Sequence, residues 1–208
     1  MGTITGVGVL DKGVAILDAV ECRPCGMSEL ARRVDLSVST THRLATALTV
    51  HGLLRRDGQG AYRLGPRFAH STLAERAGGV LEDLRDESGE SAQLWVRRGS
   101  NRLCIASVAS TAELCVNLPV GAMIPLPAGS AGQILSHDVA SPRPSWTESL
   151  GHRAAGIGSV SAPVQAYGET VAAVCLSGPL DRLAPSPGER YGDLVMAAAL
   201  RIQDLYPG

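Results

Sequence analysis

Aromatic side chains are scarce: Phe, Trp and Tyr make up 3% of the 208 residues, and Phe68 is the one phenylalanine. A core must then be built from Leu, Val, Ile and Ala, and stacking of single-stranded bases on aromatic platforms is disfavoured. Lysine is represented by Lys12 alone. No stretch has the uninterrupted apolar run that spans a bilayer, and Met1 to Gly6 lacks the charged-then-apolar layout of a signal peptide, so no membrane partner and a cytoplasmic location are expected. The five cysteines (Cys22, Cys25, Cys104, Cys115 and Cys175) are odd in number, which argues against a disulfide framework. Net charge is close to zero but unevenly divided. Residues 1–67 carry nine Arg or Lys against six Asp or Glu, and the remainder carries ten against fourteen. A mildly basic front suits contact with phosphates, and an acidic back does not.

Ser37-Val-Ser-Thr-Thr-His-Arg-Leu-Ala-Thr-Ala-Leu-Thr-Val-His-Gly52 is the most informative stretch. Ser37 can cap a helix start and Gly52 can end it in a left-handed conformation. Thr41, Leu44, Ala45 and Leu48 then form an inward stripe, while Ser39, Thr40, Arg43, Thr46 and Ala47 share the opposite face. Short hydroxyls with one Arg suit a major groove, because they reach base edges and phosphates; an ordinary surface helix has the same pattern. Its neighbours decide between the two. Val9 to Val20 places Val9, Leu10, Val14, Leu17 and Val20 near one helical face. Gly26-Met-Ser-Glu29 opens a short second helix with Met27, Leu30, Ala31 and Val34 inward and Arg32 and Arg33 outward. Asp35-Leu36 is a tight turn into Ser37. Leu53 to Arg56 and Ala61 to Leu64 flank Asp57-Gly-Gln-Gly60 as a hairpin, whose Arg55, Arg56 and Arg63 are placed to meet a nucleic-acid backbone or to protect a strand edge. Three helices and a wing make a duplex-DNA reader, with Arg33, Ser39, Thr40, Arg43, Thr46, Arg55 and Arg56 as the contact set.

These features, through Leu36-Ser-Val-Ser-Thr-Thr-His-Arg-Leu44, His51-Gly-Leu-Leu54 and Tyr62-Arg-Leu-Gly-Pro66, resemble the winged helix-turn-helix domain of IclR-type bacterial transcription regulators. The resemblance implies a homodimer or a dimer of dimers on a near-palindromic operator. Twofold pairing has a physical basis too, since one short helix reads few bases.

Pro66 closes the first domain (1–66). Arg67 to Gly78 reads as a linker helix, with Phe68, Leu73 and Ala77 spaced for packing and Gly78-Gly79 as a hinge (67–79). The second domain (80–208) opens with a helix from Val80 to Glu87. Period-2 runs at Ser91 to Arg98, Arg102 to Ser110 and Leu114 to Val120 predict an antiparallel meander. Gly129-Ser-Ala-Gly-Gln-Ile-Leu135 opens a helix. Ser159 to Gln165 and Thr170 to Ser177 form two strands around the turn Tyr167-Gly168, with Gly178-Pro179 as the stop. Pro187 to Leu205 is a closing amphipathic helix. The fold class is α+β, with strands flanked by helices.

This half also resembles the IclR family, whose effector-binding domain is GAF-like, through Gly121 to Leu135, Ser159 to Val164 and Val171 to Pro179. Gly-Glu-Ser-Ala-Gln-Leu94, Ser159-Val-Ser-Ala-Pro-Val164 and Ser177-Gly-Pro179 are most similar to an actinobacterial branch concerned with leucine and other amino-acid metabolism. Against the family pattern, the segments around His70 to Val80 and Ser136 to Trp146 are short. The resemblance puts the effector pocket at Ser130, Ala131, Ser149, Ser159, Cys175 and Ser177, with Met123 and Leu126 as apolar wall. Such a pocket is a neutral, hydrogen-bonding cup. Ser149 stands where relatives that bind small keto acids carry Asp, so an amino acid or its keto acid is the expected ligand, its carboxylate on the amides of Gly129 to Gly132. Alternatively those small residues fill a core.

Cys22-Arg-Pro-Cys25 has the spacing of a redox pair or half a zinc site, but no second pair accompanies it. Redox regulation through Cys22 and Cys25 stays an alternative, as does a sensor acting by protein contact. Serines near His137 or His152 lack a nucleophile elbow and an acidic partner, so an enzyme is not expected, and neither a metal nor a cofactor is implied.

Overall fold

The computed structural model describes residues 5–136 and 145–205, and the chain divides into two compact units, residues 1–69 and 70–208. His137 and most of the short segment between Ser136 and Trp146 lie outside the described residues. Among the described residues, no helix is long and apolar enough to cross a membrane.

The first unit comprises helices α1 (Gly8–Cys22), α2 (Met27–Arg33) and α3 (Val38–Val50), then a hairpin of β1 (Leu54–Arg56) and β2 (Tyr62–Leu64). Its core is Ile16, Val20, Cys25, Leu30, Ala45, Leu54 and Tyr62. The stripe expected on α1 is only half present. Val20 is buried and Leu17 packs partly, but Val9, Leu10 and Val14 are exposed and Ile16 takes the inward place. The turn into α3 uses Asp35 at φ 51°, as its chemistry allows. Gly52 (φ 69°) and Gly65 mark where the end of α3 meets the end of the wing. Gly65 N–H donates to Leu53 O at 2.8 Å, and a Cβ on Gly65 would lie 2.7 Å from the Leu53 carbonyl carbon. Only a residue without a side chain permits that approach.

Helix α4 (Pro66–Ser88) is continuous through Gly78 and Gly79. The expected hinge is therefore absent: both glycines keep helical backbone, and the linker helix and the helix at Val80 to Glu87 are one element.

The second unit is a six-stranded antiparallel sheet in the order β5-β4-β3-β8-β7-β6. Its strands are β3 (Ser91–Arg98), β4 (Asn101–Val108), β5 (Met123–Pro125), β6 (Thr147–Leu150), β7 (Ile157–Ala166) and β8 (Glu169–Pro179). Helix α5 (Gly129–Ser136) follows β5; a 3-10 turn (Leu180–Leu183) leads to α6 (Pro187–Asp204), which Ser186 caps by accepting from Glu189 N at 3.2 Å. The expected third strand, Leu114 to Val120, is a loop containing Pro119; Met123–Pro125 pairs with β4 instead. Strand β8 includes Gly178 and ends at Pro179, so the expected stop falls on its last two residues.

The central strands are buried on both faces, because each face is covered. One face carries Ala92, Leu94, Val96, Val160, Ala162, Val164, Ala172, Val174 and Leu176, packed with Leu81 of α4 and Val195 of α6. The other face meets α5 through Trp95, Cys104, Ala173 and Cys175 against Ala131, Ile134 and Leu135. Alternation along the strands therefore separates two buried sets. Aliphatic residues point one way, and Ser, Cys, Gln and Trp point toward α5.

Candidate functional sites

In the first unit, Ser37 Oγ accepts from Thr40 N at 3.2 Å and donates to Thr40 Oγ1 at 2.9 Å, with Ser39 Oγ 3.1 Å away. Ser39 and Thr40 thus belong to a hydroxyl cluster that closes the start of α3. The hydroxyls of buried Thr41 and exposed Thr49 are taken up by the helix's own carbonyls, donating to Ser37 O and Ala45 O. Ser39, Arg43 and Thr46 are all exposed, and Arg43 has no hydrogen-bond or ion-pair partner among the described residues.

The other arginines divide by what holds them. Arg33, expected to face outward, is half-buried: its Nη1 donates to Ala19 O (3.1 Å) and Arg23 O (2.9 Å), and its Nη2 to Glu29 (2.6 Å). It fastens α2 to the end of α1. On the wing, β1 and β2 pair Arg55 with Arg63 and Arg56 with Tyr62. Arg63 is paired with Asp57 at 2.9 Å, and Asp57 also accepts from the Gln59 and Ala61 amides. The hydrogen bond from Arg63 and those amides hold the Asp57 carboxyl below its ordinary range. Arg56 is exposed, its Nε donating to Gly60 O and its guanidinium 5.3 Å from the centre of the Tyr62 ring. It is displayed, but in a fixed direction. Arg55 is half-buried in the strand pair.

Cys25, one of the two thiols considered for a redox pair, is 3% exposed. Its O accepts from Tyr62 N at 2.9 Å, and burial pushes its thiol up. It behaves as a core residue beneath the wing. Among the described residues, no three His, Cys, Asp or Glu side chains stand close enough to hold a metal ion.

In the second unit, the polar set facing α5 surrounds a cavity of about 10 Å³, the room of one water. Ser149, Ser159, Cys175 and Ser177, four of the residues proposed for an effector, are among its lining. Antiparallel register explains why they meet: Ser159 lies opposite Ser149 on β6 and Ser177 on β8. Ser130 and Ala131 stand behind this lining. Ser130 Oγ bonds Ser159 and Ser161 at 2.8 Å each, and Ala131 packs in the apolar cluster. Of the two expected wall residues, Leu126 packs against that cluster, whereas Met123 is exposed on the edge strand.

The cavity is almost filled, and the expected neutrality of the pocket fails. Arg102 of β4 lines it at 3% exposure, stacked 4.3 Å from the centre of the Trp95 ring, and Arg153 stands exposed beside it. Burial, with Arg153 adding to it, pulls the Arg102 guanidinium below its ordinary value. Sequence reasoning missed Gln93, Trp95 and Arg102. The available signal was parity: Arg102 and Cys104 share a face of β4, and Trp95 is registered opposite Cys104.

The profile of the IclR helix-turn-helix domain matches residues 9–58, and that of the bacterial transcriptional regulator IclR C-terminal region matches residues 68–143. The chain is 30% identical over 140 residues to the HTH-type transcriptional regulator BhcR of Paracoccus denitrificans, covering 62% of this chain and 50% of that protein. It is 27% identical over 146 residues to the HTH-type transcriptional repressor AllR of Escherichia coli, covering 65% and 54% respectively. The chain thus spans about half the length of the curated relatives it matches. Among solved structures, an IclR-family transcriptional regulator from Rhodococcus sp. superposes with a TM-score of 0.62 at 26% identity, over 98% of this chain and 95% of that one.

Proposed function

Because the chain belongs to the IclR family of bacterial transcriptional regulators, we propose that it binds operator DNA through α3 and the wing, and that its second unit senses a small organic acid. The observation that carries the DNA reading is the outward face of α3. Arg43 and Thr46 are exposed on a helix whose start is fixed by Ser37 and which is flanked by a wing displaying Arg56. Ser39 and Thr40 at the helix start supply phosphate contacts, Arg55 supports the wing, and Arg33 acts by holding α2 in place. Self-association as a dimer or dimer of dimers supplies the second half-site.

For the effector, the reading rests on Ser149, Ser159, Cys175 and Ser177 around the cavity, with Ser130 and Ala131 supporting them. An acid of the amino-acid or keto-acid type is the proposed ligand, and genes of amino-acid metabolism the proposed target. A ligand that binds one arrangement of this unit better shifts its population, and α4, which contains the boundary between the units, is the segment through which that shift passes.

The test is binding of the full chain to the DNA upstream of its own gene across a salt series. Arg43→Ala is expected to melt as the wild type does, bind at least tenfold more weakly, and lower the slope of log affinity against log salt by about one where Arg43 meets a phosphate. Unchanged, salt-insensitive binding would overturn the reading and favour a sensor that acts through protein contact.

A further inference from the structure

Resting on the reading of the second unit as an effector-sensing domain, we propose that Arg102 selects the effector, and that the effector is a carboxylate bearing no amino group. Arg102, Gln93 and Trp95 hold it on the sheet, in place of the amides at the start of α5.

Four buried side-chain atoms among the described residues have no hydrogen-bond partner: Gln93 Nε2, Trp95 Nε1, Arg102 Nε and Arg102 Nη1. All four are donors, and all belong to residues that line this same small cavity. Unpaired donors gathered there define a missing acceptor. Ser177 fixes which end of Gln93 is free, because its Oγ donates to Gln93 Oε1 at 3.0 Å and leaves Nε2 unused. The hydroxyl of Ser130 is already engaged with Ser159 and Ser161.

The missing group is an anion. Arg102 is 97% buried, and no Asp or Glu lines the cavity among the described residues. The start of α5 adds positive potential, since Arg102 Nη2 lies 3.2 Å from where a Cβ of Gly129 would be. A guanidinium, a helix start and two further donors, Gln93 Nε2 and Trp95 Nε1, therefore converge with nothing negative between them. A carboxylate meets that demand, two oxygens offering acceptors to a fork of donors. A free amino acid does not, because its ammonium would be placed near Arg102 and Arg153 with no carboxylate to receive it. A 2-oxo or 2-hydroxy acid supplies a third acceptor and no added cation. Since the cavity holds only a water's volume, such an acid enters by displacing part of its lining, of which Leu118 lies on a loop rather than on the sheet.

The test uses the full chain with pyruvate, lactate and 4-methyl-2-oxopentanoate, the amides pyruvamide and lactamide, and L-alanine and L-leucine. The readouts are melting temperature and calorimetric binding. The acids are expected to bind and raise the melting temperature; the amides and amino acids are not. Arg102→Met should bind the acids at least tenfold more weakly, and Arg102→Lys should retain part of the binding. Without ligand, Arg102→Met should melt at or above the wild type, because an unpaired buried cation is removed and Met still covers Trp95. A merely structural Arg102 gives the opposite shift. Equal acid binding by Arg102→Met, or amide or amino-acid binding as tight as that of the acids, overturns the assignment while leaving effector sensing in place. No binding by any compound also overturns it, and the sensing reading falls with it only when operator affinity ignores every compound as well.

Discussion

Removing Arg182 should destabilise the second unit more than removing Arg182 and the charge of Glu90 together. The Glu90 carboxylate is 3% exposed and receives Arg182 in a bidentate pair, Nε to Oε1 at 2.6 Å and Nη2 to Oε2 at 2.8 Å. A Cβ on Gly178 would collide with the same carboxylate, so its position is set by backbone on one side and by Arg182 on the other. Arg182 Nη2 also donates to Leu114 O at 2.9 Å, which ties down the loop carrying the cavity residue Leu118. Breaking a buried pair from one side costs about 3–5 kcal/mol. Arg182 is itself 38% exposed, so water reaches the vacated place and the expectation for Arg182→Met falls to about 1–3 kcal/mol. For a unit of this size that lowers the melting temperature by about 3–9 °C. Glu90→Gln should cost about 1 kcal/mol, since an amide keeps the shape and part of the bonding. In Glu90→Gln/Arg182→Met no buried charge is left unpaired, and the double variant should melt above Arg182→Met. Thermal and urea unfolding of the four proteins measures this cycle. A double variant that melts at or below Arg182→Met would refute the argument, as would an unchanged Arg182→Met.

Two further outcomes follow from local structure. With a thiol reagent at pH 8, exposed Cys22 should react first and half-buried Cys115 next, while Cys25, Cys104 and Cys175 wait for unfolding; Cys104, pushed up to about 12 by burial, holds only about one thiolate in ten thousand at that pH. Three or more thiols reacting together in the native protein, or a Cys22–Cys25 disulfide formed readily by a mild oxidant, would restore the redox alternative. Ser37→Ala removes the cap of α3 and should cost about 1 kcal/mol, seen as about fivefold faster exchange of the Thr40 amide and reversed in Ser37→Asp. Unchanged exchange at Thr40 would show that the hydroxyl cluster there does not stabilise the helix.

The first unit was legible wherever a local rule had one answer. Ser37 as cap, Asp35 in a left-handed turn and Gly52 at the left-handed helix end each follow from what a single residue type can do, whereas the close approach at Gly65 is visible only in the fold. The stripe on α1 failed because Gly8–Cys22 contains more apolar residues than its core can take. Which of them packs depends on where α2 and α3 lie, so Ile16 displaced Val14. Arg33 failed for a related reason. A helix pattern places it outward, but a long side chain reaches the carbonyls of Ala19 and Arg23, which periodicity does not contain.

In the second unit, strand length decided what was readable. The long strands β3, β7 and β8 carry enough alternation to be found, although the alternation separates two buried faces rather than core from solvent. Thr147–Leu150 is four residues with a Glu and no β-branched run, and it becomes a strand by pairing with β7. Leu114 to Val120 alternates well, yet Pro119 cannot donate to a ladder and Met123–Pro125 occupies that edge of β4. Family resemblance named serines that line the cavity, but not the charge beside them. Arg102, beside a Gly-Ser-Asn turn, has the local pattern of a solvated residue.

Glu90 and Arg102 are both buried charges in one unit, and their partners separate their roles. Glu90 has a bidentate arginine and a backbone wall, so its burial cost is offset within the fold. Arg102 has an aromatic face and no acid, and two of its nitrogens bond nothing. A fold selected for stability alone would place a Met or Leu there, over Trp95 and beside Cys104, and lose nothing in packing. An unoffset cation at the floor of a cavity is tolerated when something outside the chain completes it. The same comparison says which variant should affect what. Changing Glu90 or Arg182 should move the melting temperature without altering which acids are preferred, and changing Arg102 should alter the preference while leaving the unliganded melting temperature level or higher. A protein in which both pairs of variants moved only stability would place Arg102 beside Glu90 as part of the scaffold.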